Sequence, residues 1–411
     1  MKLLKLQLEN FRNYEKYSHK FNGDINTTVL TGKNGAGKTN LLEAIYTLSL
    51  GKSFKSIIQE DMIKWGADFL RVTGQIAFGE GQITAGDPNS SQCPKNSTVA
   101  STSGKTTTET EELEVFYGRA PSRKKSFKKN GVGMKTSNYI GSLLTVFFHP
   151  EDLNMLYLEP GLRRRYMDIL LSQTNKKYLA ALMEYKKILK QRNALIQEIR
   201  DNKFNNVDNK TLYDDLAAWN HQIADSGSIV IKNRLDLVWV LNRMLTTIYQ
   251  SISGGSEKIE VKYSNNVLKE SATEPVPVEG DTDDLTTKKI RNLYDKKLTS
   301  MERIEEIQGR TLTGPHRDDL IFFINDREIT KSASRGEIRT LLLAIKLAEI
   351  EFIKKITNTT PVLLLDDVFS ELDSERQKKL LASIIDCQTI ITTTDPIEAG
   401  DLIQNSEFVK F

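Results

Sequence analysis

Apolar and polar residues alternate at the start of the chain, with Leu4, Leu6 and Leu8 set against Lys5, Gln7 and Glu9. That period of two belongs to a half-buried strand. Beyond residue 38 the period lengthens, and Leu41, Leu42, Ile45 and Leu48 recur at helical spacing. Residues 1–79 therefore read as strands, a glycine loop and a helix. A strand is expected at 113–117, a hairpin turn at Asn130-Gly131, and a buried strand in LLTVFF (143–148) that Pro150 stops. From about 161 the pattern is helical. Leu182, Leu189 and Ile196 lie seven apart, with Tyr185 and Ile199 at the intervening heptad position, and a second stripe runs through Leu212, Leu216, Trp219 and Ile223 to about 248. The polar stretch between these stripes predicts an antiparallel helical hairpin. Trp65, Trp219 and Trp239 fall on apolar stripes or beside strands and read as core. Residues 264–285, with Pro275 and Pro277, read as a loop, and 286–307 as a helix. The last hundred residues return to α/β: strand 320–324, helix 338–356, buried strand 362–365, helix 375–385 and strand 389–392.

Length and composition narrow the class. At 411 residues and 46.6 kDa the chain has room for two or three domains. With 39% hydrophobic and 27% charged residues it is neither collagenous, mucin-like nor wholly disordered. Net charge is only +3, so a basic surface for nucleic acid has to be local. Cys93 and Cys387 make no disulfide framework and no zinc-ligand spacing, which points to a reducing, cytoplasmic compartment. No apolar run approaches the ~18 residues of a membrane span. The alternating start lacks the apolar core of a signal peptide. Asn-x-Ser/Thr triplets at Asn89, Asn96 and Asn358 carry little weight in such a setting. Within 84–110, 12 of 27 residues are Ser or Thr and none is aromatic, which reads as a disordered surface insertion.

Three short segments carry chemistry. Gly32-Lys33-Asn34-Gly35-Ala36-Gly37-Lys38-Thr39 fits G-x-x-x-x-G-K-[ST], follows a strand and opens a helix. Glycines let successive backbone N–H groups wrap phosphates, and the helix N-terminus adds a favourable field. Lys38 reaches the β/γ-phosphates of ATP, and Thr39 offers a hydroxyl to Mg²⁺. Far along the chain, Leu363-Leu364-Leu365-Asp366-Asp367 is an apolar strand ending in two carboxylates. Beside a phosphate loop, Asp366 serves Mg²⁺ and Asp367 orients the attacking water. Lys38 and Asp366 stand 328 positions apart, so the nucleotide-binding fold must be split by a large insertion. Between them, SASRGE (332–337) opens a helix. Ser334 and Gly336 there form a second anion-binding surface, which has a use only against another subunit's ATP; the plainer reading is a helix cap by Ser334.

This order of motifs is that of ABC-type ATPases, and in detail the chain resembles the RecF family. The resemblance rests on NFRNY (10–14), GKNGAGKTNLLEAIYTLSLGKSF (32–54), HPEDL (149–153), LRRRYMD (162–168), TGPHRDDL (313–320), SASRGEIRTLLLAIKLAE (332–349), LLLDDVFSELD (363–373) and ITTTDP (391–396), in family order along the whole chain. It implies an α/β, ABC-type P-loop ATPase head in two lobes, interrupted by a helical arm subdomain with a short antiparallel hairpin. The implied boundaries are 1–160, 161–308 and 309–411. It also implies that ATP and Mg²⁺ join two heads into a homodimer. Ser334 and Gly336 then meet the partner's γ-phosphate, and Asp373 lies in the dimer contact. Thr393 or Thr394 stands where transporter-type members place a histidine. Further implications are slow hydrolysis, binding to double-stranded, gapped or single-strand/double-strand junction DNA, and work with RecO- and RecR-type mediators in the cytoplasm. Arg335 and Glu337 depart from the glutamines usual in the family, and no glutamine sits beside HPEDL, where His149 and Glu151 are candidate substitutes.

Two runs are candidates for DNA phosphates. Residues 119–135 hold seven Lys/Arg and no acid, including Arg123, Lys124, Lys125, Lys128 and Lys129. Residues 161–200 hold ten against three acids, including Lys186, Lys187 and Lys190, while Arg163–Arg165 are candidates for tying arm to head. The alternative functions fit less well. A chromosome-organising ATPase needs far longer arms, and a membrane transporter's ATPase subunit has no need of the helical insertion.

Overall fold

The computed structural model describes residues 1–56, 58–78, 109–119, 121, 123–204, 210–268, 283–394 and 406–411. Along the chain run β1 (Lys2–Phe11), β2 (Tyr14–Lys20), β3 (Thr27–Thr31), α1 (Lys38–Leu50), β4 (Phe69–Ala77), β5 (Thr110–Gly118), β6 (Lys125–Lys129), β7 (Val132–Met134), α2 (Thr136–Tyr139) and β8 (Thr145–Phe148). Next come α3 (Leu153–Tyr157), α4 (Pro160–Thr174), α5 (Lys176–Phe204), α6 (Lys210–Ser253), β9 (Ile259–Ser264) and α7 (Asp283–Gln308). The rest are β10 (Asp319–Ile324), β11 (Arg327–Glu328), α8 (Ile329–Ser332), α9 (Arg335–Thr357), β12 (Val362–Asp366), α10 (Ser374–Ser383), β13 (Thr389–Thr393) and β14 (Ser406–Lys410).

Two compact units result: residues 1–150 with 349–411, and residues 151–348. The first holds two sheets. One is antiparallel in the order β2-β1-β4-β5-β6-β7, and the other is all parallel in the order β14-β3-β13-β12-β8. Helix α1 packs against strands of both sheets. This explains its composition: every residue from Leu41 to Leu50 is buried, as expected of a helix covered all round. In the parallel sheet β12 and β13 are buried at every position, the mark of strands covered on both faces. The Asn130-Gly131 turn has positive φ at both residues (51° and 76°), the geometry a two-residue hairpin needs.

The second unit contains the expected hairpin. Ile196, Ile199 and Leu216 form a buried cluster flanked by Leu195, Leu212 and Tyr213, so the end of α5 meets the start of α6. A three-stranded sheet, β11-β10-β9, accompanies it. The expected boundary near 308 is not where contacts divide. Residues 309–348 belong with the helices, because β10 pairs with β9 and buried arginines on α4 and α6 bond to Asp318 and Asp319. The division falls inside α9 instead. Trp65 is a further correction: it is 95% exposed on a turn, and Trp239 lies partly exposed under the Arg243 guanidinium. Residues 84–108 and the 269–282 stretch with both prolines lie outside the described residues.

Candidate active site

Strand β3 delivers the chain into the phosphate loop, and α1 starts at Lys38. Gly32, Gly35 and Gly37 all have positive φ, at 153°, 82° and 110°. A side chain at Gly37 would also collide with Asn13 and Tyr14. Lys38 donates to the loop's own carbonyls, Gly32 O at 2.6 Å and Lys33 O at 3.0 Å. The parallel sheet supplies the acid. β12 ends in Asp366, whose Oδ1 accepts from Thr39 Oγ1 at 2.8 Å and from Thr392 Oγ1 at 2.7 Å. His149 Nε2 is 3.8 Å from the other oxygen, Oδ2. The two sequence motifs, over three hundred positions apart, thus meet in a direct hydrogen bond.

Asp367 follows in the left-handed region at φ 53°, a conformation aspartate tolerates better than most residues. Its N–H is held by the Thr392 hydroxyl at 3.0 Å. One hydroxyl, Thr392, therefore donates to the Asp366 carboxylate and accepts from the Asp367 backbone N–H, tying the side chain of one to the main chain of the other. The cleft is about 370 Å³ and is lined by residues 34–40, Lys55, His149, Pro150, Asp366, Asp367, Thr392 and Thr394. Thr394 lines it and the buried Thr393 does not.

Two lining residues were not singled out by their sequence pattern. Thr392 lies within an apolar-threonine strand and looks like any β-residue. Lys55 donates to Asn40 Oδ1 at 2.9 Å and lies 4.0 Å from the buried Glu43. Burial lowers its pKa, while the Glu43 and Asp366 carboxylates pull it back up. The only signal for Lys55 is that it follows the SF of the GKSF segment.

The donor set suits a small hard cation. A threonine hydroxyl and a carboxylate converge within hydrogen-bond distance, and magnesium prefers such oxygen ligands. Thr39 and Asp366 are the residues that would hold it.

Ser334 and Gly336 sit at the start of α9 in the second unit. Ser334 forms a capping box: its hydroxyl accepts from Glu337 N at 3.2 Å, and Glu337 Oε2 accepts from Ser334 N at 2.7 Å. Those bonds hold the Glu337 carboxyl below its ordinary pKa. Glu337 is thereby turned toward Ser334 and not toward Arg335, which is exposed and makes no ion pair among the described residues. Asp373 caps α10, accepting from Arg376 N at 2.9 Å, and pairs with the Arg376 guanidinium.

The basic runs look different in three dimensions. β5 lies beside β6 and brings Glu111 and Glu114 to Lys129 and Lys128, at 2.8 and 2.7 Å. Arg123 pairs with Glu60 at 3.2 Å. The Lys125 ammonium lies 4.9 Å from the Phe127 ring centre and 5.0 Å from that of Tyr117, bonded to Gly51 O, and loss of water there lowers its pKa to about 8. Lys124 remains exposed with no ion pair among the described residues. On α5, Lys186 pairs with Asp168 at 3.1 Å, whereas Lys187 and Lys190 are exposed. Two of the arginines counted there are internal. Arg163 grips Asp319 through two bonds of 2.6 and 2.9 Å, and Arg192 is wholly buried against Glu305, Asn220 and Thr311. Arg163 and Arg164 reach the TGPHRDDL segment, so they brace their own unit.

The family model described as RecF/RecN/SMC N terminal domain matches residues 2–399. A DNA replication and repair protein RecF of Oenococcus oeni is 37% identical over 100% of this chain and 98% of its own length. The RecF of Oceanobacillus iheyensis is 34% identical over 96% and 94%. Among solved structures, two described as the recombination mediator protein RecF in the RecFOR pathway, one with ATPrS and one with ATP, superpose with TM-scores of 0.78 and 0.77. Their identities are 28% and 29%, and each comparison covers 96% of this chain and 92% of the other. Among the described residues, no helix is long and apolar enough to cross a membrane.

Proposed function

The chain belongs to the RecF family of ATPases, and from that premise we propose that it is an ATP-switched DNA-binding protein of replication and recombinational gap repair. The observation that carries this reading is the 2.8 Å bond between Thr39 and Asp366, which makes one nucleotide site of the phosphate loop and the acidic strand. ATP phosphates lie against the loop's backbone N–H groups, and Lys38 exchanges its carbonyl partners for phosphate oxygens. Mg²⁺, when bound at Thr39 and Asp366, neutralises phosphate charge. Asp367 orients and polarises the attacking water, and Thr392 holds its backbone N–H in place.

Ser334 and Gly336 of a second copy complete the γ-phosphate contacts, so ATP favours a homodimer, with Asp373 in the contact, and hydrolysis releases it. Hydrolysis is slow and serves release. The dimer holds double-stranded DNA near a gap or a single-strand/double-strand junction. It contacts the phosphates through surface cations that have no ion pair among the described residues, such as Lys124, Lys187 and Lys190, and mediators of the RecO and RecR type act with it in the cytoplasm. Contacts of this kind weaken steeply with salt. The test is binding to a short gapped duplex near physiological salt, with ATP against ADP. Tight binding with ATP alone is the expected result. Binding indifferent to nucleotide, or none, would remove the clamp reading and leave the ATPase site standing.

A further inference from the structure

Outside the cleft, an aromatic column touches the phosphate loop at both of its ends. Tyr14 and Tyr17 come from β2, with ring centres 5.1 Å apart. Tyr17 stacks on Phe411 at 5.9 Å with the planes 24° apart. At one end of the column the Tyr14 hydroxyl donates to Gly37 O at 3.0 Å. Burial pushes the Tyr14 pKa up, so this phenol stays a donor at any physiological pH. At the other end the backbone of Phe411 passes so close to Gly32 that a Cβ on that glycine would stand 2.8 Å from Phe411 O. Phe411 is seated by β14, which pairs in parallel with β3 from Ser406↔Thr27 to Lys410↔Thr31, and its own N–H donates to Thr31 O at 2.8 Å. Gly32 and Gly37 are the first and last glycines of the loop, and both have positive φ, which glycine adopts readily and which leaves the loop's span to be fixed by its neighbours.

None of the three aromatic residues lines the cleft. Their contacts with the site described above run through the loop, at Gly37 and Gly32. Among the described residues β14 is also an edge strand, joined to its sheet by β3 alone. We infer that Tyr14, Tyr17 and Phe411 are positioning residues that fix the span between Gly32 and Gly37, so that docking of β14 sets the loop's fit to phosphates. The inference rests on the nucleotide-binding reading of the site. An interaction made equally with bound substrate and transition state appears in KM and not in kcat.

The test uses the full chain and measures the Kd for ATP and for ADP, ATP turnover, and melting without nucleotide. Phe411→Ala is expected to weaken ATP and ADP together by about ten-fold, roughly 1.4 kcal/mol, and Phe411→Tyr to restore both. Tyr14→Phe keeps the ring and loses only the bond to Gly37 O; it is expected to raise Kd and KM for ATP several-fold, with a much smaller change in kcat and an unchanged melting temperature. Wild-type affinity for both nucleotides in Phe411→Ala and Tyr14→Phe would overturn the inference. Should Phe411→Ala melt below the assay temperature, Tyr14→Phe decides alone. A wild-type chain that binds neither ATP nor ADP would overturn the nucleotide reading, and the inference with it.

Discussion

Lys38 holds two loop carbonyls, and on the proposed nucleotide reading its ammonium trades both for phosphate oxygens. Lys38→Met is expected to abolish nucleotide binding by calorimetry while the melting temperature in buffer stays close to wild type; full affinity in the variant would remove Lys38 from the site. Asp367→Asn is expected to leave ATP bound, to slow turnover by ten-fold or more, and to prolong residence on DNA. Faster release from DNA would count against its role with water. Elsewhere, single residues set a pH response. Burial raises the Asp318 pKa to about 6 and lowers that of His316 to about 4. Asp318 contributes stability present below its unfolded value near 3.8 and lost as pH rises through 6. His316 contributes stability present above its unfolded value near 6.5 and lost as pH falls through 4. The two oppose each other between pH 4 and 6. Replacing His316 by Asn should therefore leave a melting temperature that falls as pH rises across that window, where wild type stays flatter; parallel curves would refute the pairing. The phosphate loop and Asp366 were legible in the sequence because their chemistry demands fixed residue types at fixed spacing. Thr392, Lys55 and the exposed Trp65 were not, because a lone threonine, lysine or tryptophan carries no spacing.

At the level of elements, periodicity located the long helices well, since α5, α6 and α9 each repeat an apolar stripe many times. It missed β9 and β14, which are five or six residues long and offer too few repeats. It also misread charge. The run of cations at 119–135 has no acid of its own, yet Glu111 and Glu114 come from the neighbouring strand, a pairing no linear reading shows. Arg192 and Arg234 were hidden in the same way, as buried arginines inside apolar stripes. Helix α6 carries a glycine at 227, which ordinarily weakens a helix by about 1 kcal/mol relative to alanine. Here a Cβ would stand 2.5 Å from Tyr294 and 3.2 Å from Tyr185, so the glycine lets α6 approach α7 and α5. Gly227→Ala is accordingly expected to destabilise, by about 1–3 kcal/mol as other overpacked cores do. A higher melting temperature would show that the tyrosines yield at little cost.

For the whole molecule, Ser334→Arg should leave ATP binding intact and prevent ATP-dependent dimerisation in sedimentation; normal dimerisation would sink the two-headed sandwich. Removal of residues 84–108 is expected to change neither turnover nor DNA binding, because Phe78 N already bonds to Glu109 O where β4 and β5 meet, and a short turn can close that gap. Lost activity would give the segment a role. The expectation of a head split by helices was legible from the distance between motifs, but the division inside α9 was not, since it depends on β10 pairing with β9. Strand β3 lies between β14 and β13, both of which are specified after residue 388. A ribosome adding about 5–20 residues per second extrudes the loop and α1 on the order of tens of seconds before either neighbour exists. The unbroken stretch 151–348 can fold meanwhile, so the ATP site is among the last parts of the protein to form. A nascent chain cut short anywhere before β13 is therefore expected to be blind to ATP, however well its middle has folded.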